Sequence, residues 1–389
     1  MALDLERKLD LLAESAHFDV CSPRPPGSLP ETARPRAEWE RWIYPAVLPG
    51  GRQVPLFKVL LSNVCENDCL YCCNRRGNDC RRSSLAPDEL VRAFLALNDS
   101  NLARGLFLSS ALAGSGAATM ERMLAAVEAL RRRHGFRGYI HLKILPGADR
   151  AMVEQALRLA DRVSINLEAP SAERLARLSD DKHFPALEER LRWAAELRRQ
   201  GSGAPAGLTT QFVVGAAGES DAELIATAGR LYREYDLARV YFSAFRPLPG
   251  TPLAGSPAAP AARELRLYQA DFLLRHYGFT PSDFVVDGAG NLPLRVDPKL
   301  AWALAHPEVF PVDLNRADLP LLLRVPGLGP ERARRILAAR RDGALRSVEQ
   351  LRALGVPLSR AGPFVALAGR RVATPKPRQI PLWDDDALA

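Results

Sequence analysis

The stretch Ser62-Asn-Val-Cys65-Glu-Asn-Asp-Cys69-Leu-Tyr-Cys72-Cys-Asn-Arg75 follows directly on the apolar run Leu56 to Leu61. A short apolar run that ends in a polar loop reads as a buried β-strand. The loop sets three thiols, Cys65, Cys69 and Cys72, in C-x3-C-x2-C spacing. A cubane iron-sulfur cluster has four irons, and three thiolates hold three of them, which leaves one iron open for chemistry. Two alternatives use the same thiols: a tetrahedral zinc site, or a four-thiolate electron-transfer cluster that recruits Cys80. Zinc sites usually pair C-x2-C units or match Cys with His, whereas the local set here is three. Cys73 follows Cys72 immediately, so the two side chains tend to diverge and Cys73 need not bind the same metal.

The rest of the composition bounds the answer. At 389 residues, 47% hydrophobic and 25% charged, the chain is an ordinary globular protein of two or three domains. No apolar run reaches about 18 residues, and the start, Met-Ala-Leu-Asp-Leu-Glu-Arg-Lys, carries acids and lacks a secretory leader, so a cytoplasmic protein with no membrane partner is expected. Six cysteines, three of them clustered, point to a reducing compartment rather than a disulfide framework; Cys21 stands alone in a Pro-rich stretch. Residues 313–380 hold 14 Arg and Lys against 5 Asp and Glu, so the net charge of +8 belongs to the C-terminal segment. A basic patch of that kind suits an anionic partner.

Six strand-like runs, Leu56 to Leu61, Gly105 to Ser109, Tyr139 to Leu145, Arg162 to Leu167, Thr209 to Val214 and Arg239 to Ala244, alternate with helical stretches. The helical stretches are Asp88 to Leu97, Thr119 to Arg133, Arg150 to Ala160, Ala186 to Arg199 and Ser220 to Tyr235, the last opening on a capping box. Such alternation predicts a parallel sheet with helices outside, curling toward a barrel, with ligands at the C-terminal strand ends. The cysteine loop falls at that end. The expected organisation is an N-terminal arm (1–50), the barrel (51–250), linker and packing helices (251–312), a small all-α hairpin domain (313–371) and a tail (372–389). A helix from Arg263 to Tyr277 is expected to pack against the barrel.

The cysteine spacing, with the aromatic Tyr71 before the third Cys, resembles the cluster motif of the radical S-adenosylmethionine (SAM) superfamily. That resemblance implies a (βα)6 partial TIM barrel, a [4Fe-4S] cluster at Cys65, Cys69 and Cys72, and SAM chelated to the open iron. It also implies an external reductant such as flavodoxin or ferredoxin. Gly105-Leu-Phe-Leu-Ser-Ser-Ala-Leu stands where the superfamily has a Gly-Gly-Glu motif, with Ser109 and Ser110 in place of the glycines and acid. Gln211-Phe-Val-Val-Gly-Ala-Ala-Gly-Glu-Ser resembles the fifth-strand motif that supports adenine, with Gly215 and Gly218 permitting close backbone approach.

Ser164-Ile-Asn-Leu-Glu alternates polar and apolar residues, which puts Ser164, Asn166 and Glu168 on one face of a strand. Those three side chains, aimed into a barrel, need partners: the cofactor's ribose and carboxylate, or an internal polar network. Lys143 is either a carboxylate partner or an ion pair with Glu168. Tyr241 and Ser243 close the pocket or face substrate.

Far downstream, Leu322-Leu-Arg-Val-Pro-Gly-Leu-Gly-Pro-Glu-Arg-Ala-Arg-Arg-Ile-Leu-Ala-Ala-Arg-Arg looks like a helix-hairpin-helix. Leu322, Val325, Ala333, Ile336 and Leu337 supply its packing face, and Gly327 and Gly329 its tight loop. Such a loop aims backbone amides at a phosphate oxygen and positions a duplex without reading its bases. Arg324, Arg332, Arg335 and Arg340 would add phosphate contacts. Taken with Cys-Leu-Tyr-Cys-Cys-Asn-Arg, Gly-Tyr-Ile-His-Leu-Lys-Ile-Leu-Pro-Gly and Arg-Leu-Tyr-Gln-Ala-Asp, nearly the whole chain resembles radical SAM proteins associated with DNA modification and repair. The resemblance implies DNA as a partner and a uracil-DNA-glycosylase-like protein as another. RNA modification, and DNA binding around a purely structural cluster held by Cys73 or Cys80, are the competing functions.

Overall fold

The computed structural model describes residues 4–16, 42–47 and 53–372. Cys21, most of the expected arm and all but the first residue of the expected tail lie outside the described residues. The chain divides into two compact units, Met1–Tyr268 and Gln269–Ala389.

The first unit opens with helix α1 (Leu5–Ser15), capped by Asp4, followed by strands β1 (Ile43–Val47) and β2 (Gln53–Leu60). Helix α2 (Pro87–Asp99), β3 (Gly105–Ser109), α3 (Gly116–Glu128), β4 (Tyr139–Lys143), α4 (Arg150–Leu159) and β5 (Arg162–Ser164) come next. Then come α5 (Ala172–Ala176), α6 (Phe184–Arg199), β6 (Leu208–Val214), α7 (Asp221–Tyr235) and β7 (Leu237–Ala244). The seven strands lie in chain order in one sheet; β2 to β7 are parallel, and β1 pairs antiparallel with β2 at the edge. This is the curled half-barrel anticipated from the strand and helix alternation. The capping box read at Ser220 is present: its hydroxyl accepts from Glu223 N, and the Glu223 carboxylate accepts from Ser220 N.

Alternation along each strand sorts the side chains. Phe57 stacks on Phe94 of α2, with ring centroids 6.4 Å apart, and Phe242 meets Tyr268 edge-on at 5.6 Å, so these positions form the outer, helix-covered face. Burying a Phe in this way contributes about 1.5–3 kcal/mol. Their neighbours in sequence, Lys58 and Tyr241, therefore face the lumen. Toward the N-terminal ends of the parallel strands, Ala46, Leu56 and Phe107 form an apolar cluster against which Tyr44, Val54 and Tyr139 pack. The other end carries the cysteine loop.

The second unit takes in the end of α8 (Ala261–His276), then α9 (Pro298–Ala305), β8 (Val312–Asp313), α10 (Leu319–Arg324), α11 (Pro330–Asp342), α12 (Val348–Ala353), α13 (Leu358–Ala361), β9 (Val365–Leu367) and β10 (Arg370–Arg371). Its core gathers Leu322, Val325, Ala333, Ile336, Leu351 and Val365. The all-α expectation needs correction here, because β8, β9 and β10 form a small three-stranded sheet. Strands of two or three residues are too short to leave a period in the sequence.

Candidate functional site

The parallel strands β2, β3, β4 and β5 end at Leu60, Ser109, Lys143 and Ser164, so the loops leaving these strands all lie at one rim. Leu61 N donates to Ser109 O at 2.8 Å, and the chain then departs into the cysteine loop. Two devices shape that loop. Arg82 donates to four backbone carbonyls, of Asn63, Asn74, Arg75 and Asn78, at 2.7–3.0 Å, and so clamps the loop from inside. Asp68 accepts from Ser179 Oγ and from the backbone N–H groups of Asp180 and Asp181, while Asp181 accepts from Asp68 N at 2.8 Å. Burial raises the Asp68 carboxyl, but the bonds from Ser179, Asp180 and Asp181 together outweigh it and hold the group at about 2.

Cys65, Cys69, Cys72, Cys73 and Cys80 are all free thiols. Burial pushes Cys69 up to about 11 against the opposing charge of Lys182, and it also feels Cys72 and Cys65. Cys72 is raised by its hydrogen bond with Cys73 and then by burial. Among the described residues no three His, Cys, Asp or Glu side chains close on a single ion. The donor set fits a cluster in its chemistry: three thiols on one loop, of which Cys69 feels both Cys65 and Cys72, stand beside the cation of Lys182, and their thiolates form when a metal displaces the protons. Cys80 Sγ instead reaches the Cys73 carbonyl at 3.5 Å.

Lys182, which sequence reasoning missed, stands beside the cysteines. Its Nζ donates to Glu168 Oε1 at 2.8 Å and to the Tyr71 hydroxyl at 3.3 Å, and its side chain is 12% exposed. The ion pair first considered for Glu168 was with Lys143; the cation on Glu168 is Lys182. Burial works against the charge of Lys182, yet Cys69, Glu168 and Tyr71 together hold its pKa well above the ordinary lysine value. Glu168 adopts φ 65°, a left-handed conformation uncommon outside Gly, and bridges to β6 through Glu168 N to Gln211 O at 2.9 Å.

The other expected cofactor residues are spread over several strand ends. Ser109 and Ser110 are buried at the end of β3, and the Ser110 hydroxyl donates to Ala111 O at 2.7 Å. Lys143 and Ser164 are register neighbours, and Ser164 neighbours Thr209. Asn166 is half-buried beyond β5, and Gln211 is buried beside Tyr241. Gly215 has φ 93°, a Cβ there would come within 2.9 Å of Ala259, and its N–H is taken by Glu219. Tyr241 is directed down the lumen, away from the rim: its hydroxyl accepts from Arg162 at 3.4 Å.

In the second unit, α10 and α11 pack as the hairpin. Gly327 has φ 85°, and Gly329 caps α11, with Pro330 in its first turn. The Lys299 ammonium, buried beneath this loop, donates to the Leu328 carbonyl and lies 4.6 Å from the Tyr277 ring. Burial pushes Lys299 down to about 7. Arg332 and Arg335 are exposed; Arg332 donates to Gly355 O at 2.8 Å and Arg335 pairs with Glu331. Arg324 departs from expectation. Its guanidinium lies 3.9 Å from the Phe279 ring centroid, 4.7 Å from that of Trp302 and 3.0 Å from Asp283, which makes it part of the packing. Arg340 likewise donates to Leu314 O and Ala317 O.

Residues 59–231 match the Radical SAM superfamily model, and residues 310–354 match the helix-hairpin-helix motif model. No curated protein matches the chain. Among solved structures, the FeFe-hydrogenase maturase HydG from Carboxydothermus hydrogenoformans is 18% identical over 55% of this chain and 50% of its own, with a TM-score of 0.45. Methylornithine synthase (PylB) is 17% identical over 55% of this chain and 60% of its own, also with a TM-score of 0.45. The chain thus spans about half the length of such structures, and likenesses of this size do not bear on substrate. No helix among the described residues is long and apolar enough to cross a membrane. Residues 59–231 are a radical SAM superfamily domain, whose members use a [4Fe-4S] cluster and S-adenosylmethionine, and residues 310–354 carry a helix-hairpin-helix motif.

Proposed function

We propose that the chain is a radical SAM enzyme that acts on nucleic acid, with DNA as the substrate class. One observation carries the reading: a Lys182–Glu168–Tyr71 group, with Glu168 buried and Lys182 and Tyr71 partly so, stands beside the cysteine thiols at the rim of a parallel half-barrel, in a chain that also bears a basic hairpin. Cys65, Cys69 and Cys72 would hold the cluster, and Cys73 and Cys80 would not. When bound, the reduced cluster and SAM would supply radical chemistry, a 5′-deoxyadenosyl radical for hydrogen-atom abstraction from substrate.

The protein's own share is binding and exclusion. Lys182 offers a cation to the carboxylate of SAM, and Glu168 accepts from its amino or hydroxyl groups. Ser109, Gln211 and the turn at Gly215 line the adenosine side. Arg82 and the Asp68–Asp181 latch keep the thiols at fixed spacing. At the hairpin, the Gly329 amide and the exposed Arg332 and Arg335 take phosphates. Arg324 is withdrawn from that set by its packing role.

A flavodoxin or ferredoxin would deliver the electron. The uracil-DNA-glycosylase-like partner rests on family resemblance alone, and co-purification with such a protein would test it. For the function itself, cluster-loaded protein is reduced with SAM in the presence of duplex DNA or transfer RNA, and the nucleosides are weighed by mass spectrometry. A mass change in DNA alone supports the reading; one in RNA alone moves the substrate class.

A further inference from the structure

The half-barrel lumen has three tiers. An apolar cluster that includes Leu56 and Phe107 lies toward the strand N-terminal ends, with the Phe107 ring edge-on to His141 at 4.7 Å, and the cysteine loop forms the rim. Between them lies a polar belt that the cofactor site at the rim does not need in full. On β4, β5 and β6, His141 sits in register with Arg162, Ser164 with Thr209, and Thr209 with Arg239 of β7. All share the parity of Lys58 and Tyr241, so all face the lumen.

The belt is incomplete in itself. Both ring nitrogens of His141, Ser164 Oγ, Thr209 Oγ1 and Arg239 Nε are buried with no hydrogen-bond partner among the described residues. His141 is 1% exposed, Ser164 4% and Thr209 0%. Leaving such groups unsatisfied costs about 1–3 kcal/mol each, and native proteins rarely leave several together. The belt also has one sign of charge. The belt's own residues include the guanidinium groups of Arg162 and Arg239 and no carboxylate, and Glu168, just beyond β5, is matched by Lys182. Burial holds His141 neutral, and the charges of Arg162, Lys143 and Lys58 add to that effect. Among the described residues, the hydrogen bonds Arg162 makes go to the Ala206 carbonyl at 3.2 Å and the Tyr241 hydroxyl at 3.4 Å.

We propose that this belt, formed by His141, Arg162, Ser164 and Thr209 with Arg239 at its edge, is a binding site for a phosphoryl group of the substrate. Two hydroxyls, an imidazole N–H and guanidinium N–H groups come from neighbouring strands about 4.8 Å apart. Donors spread over three strands match the separated oxygens of a tetrahedral anion better than the two coplanar oxygens of a carboxylate. Ser164 is the last residue of β5 and pairs with Lys143, the last residue of β4, so the Ser164–Thr209 row lies toward the strand ends that carry the rim. A phosphate held there would fix the sugar or base above it toward the rim. The inference rests on the reading of residues 59–231 as a radical SAM domain acting on nucleotides, and it adds where the phosphate sits.

The experiment is calorimetric titration of the full-length, cluster-loaded protein with a 2′-deoxynucleoside 5′-monophosphate, its nucleoside, inorganic phosphate, acetate and a 5′-phosphorylated oligonucleotide. The monophosphate should bind at least about 10-fold more tightly than the nucleoside, with inorganic phosphate competing. Thr209→Val, Ser164→Ala and Arg162→Gln, each checked for native circular dichroism, should weaken it by about 10-fold or more, whereas Arg332→Gln with Arg335→Gln should not.

If Arg162→Gln fails to fold, the near-isosteric Thr209→Val carries the test. Phosphate binding that survives all the lumen variants, or that disappears with the hairpin variants, overturns the proposal. Competition by acetate equal to that of phosphate also overturns it, by making the site one for carboxylates. If the mononucleotide binds through these residues and the oligonucleotide does not, the lumen site stands and the nucleic-acid reading falls.

Discussion

Lys182 Nζ lies 2.8 Å from the carboxylate of Glu168, and the pair sits beside Cys69 and Tyr71 at the rim of the half-barrel. A buried ion pair is weak evidence for stability, because desolvation offsets much of the attraction, but removing one partner leaves the other uncompensated.

Lys182→Met should therefore lower stability by about 3–5 kcal/mol and weaken SAM binding by at least about 10-fold. It should leave the absorbance of a reconstituted cluster in place, since the thiols remain. Unchanged SAM affinity in a folded variant would remove Lys182 from the cofactor site.

Cys65→Ala, Cys69→Ala and Cys72→Ala should each abolish cluster assembly, while Cys73→Ala and Cys80→Ala should retain it. Iron and sulfide per chain, with the spectrum of the reduced protein, decide this. Cluster loss in the Cys73 or Cys80 variant would favour a four-thiolate structural cluster.

Asp68 sits at about 2 in the folded chain against an unfolded value of 3.8. A depressed carboxylate stabilises the fold fully above its unfolded value and loses that contribution as pH falls from about 4 to 2. Asp68→Asn should cost on the order of 1–2 kcal/mol at pH 7, and the wild-type advantage should vanish toward pH 2. Paired acid titrations of the two proteins read the difference directly.

Lys299 is also depressed, but for a lysine that shift penalises the charged form and so works against folding at low pH. An unfolded lysine titrates near 10.4, and burial holds this one at about 7, so between those values the unfolded chain carries the extra proton. Its contribution to stability is lowest below pH 7 and rises toward pH 10, by up to about 1.4 kcal/mol per unit. The melting-temperature difference between wild type and Lys299→Met should therefore shift in favour of the wild type as pH increases. A difference independent of pH would contradict the assignment.

Hairpin arginines divide by environment. Arg335→Gln should lower the slope of log K against log salt for duplex binding by about one. Arg324→Gln should leave the slope unchanged and destabilise the second unit by about 2–4 kcal/mol, through its Asp283 pair and aromatic cage.

How much of the molecule is legible in its sequence depends on the residue. Gly105 to Ser109 was legible to the residue because an apolar run between turn signals has few other readings. Strand β1 was not, because Pro45 reads as a strand breaker; it is tolerated only because β1 is an edge strand, paired at Pro55. Strand β5 stops at Ser164 rather than running to Leu167, because Leu167 N turns to the Thr210 hydroxyl and Glu168 takes a positive φ. The cysteine spacing announced itself, whereas Lys182 lies in an unpatterned loop and reaches the site only through tertiary folding. Arg324 looked like a phosphate ligand for the same reason in reverse: nothing local shows that Phe279, Trp302 and Asp283 will enclose it.

The most direct test is anaerobic. The cluster-loaded full-length chain is reduced with dithionite, SAM is added with and without duplex DNA, and 5′-deoxyadenosine is quantified. The account predicts one cubane cluster per chain and release of 5′-deoxyadenosine that depends on Cys65, Cys69 and Cys72. A fully reduced cluster with bound SAM and no cleavage would contradict it.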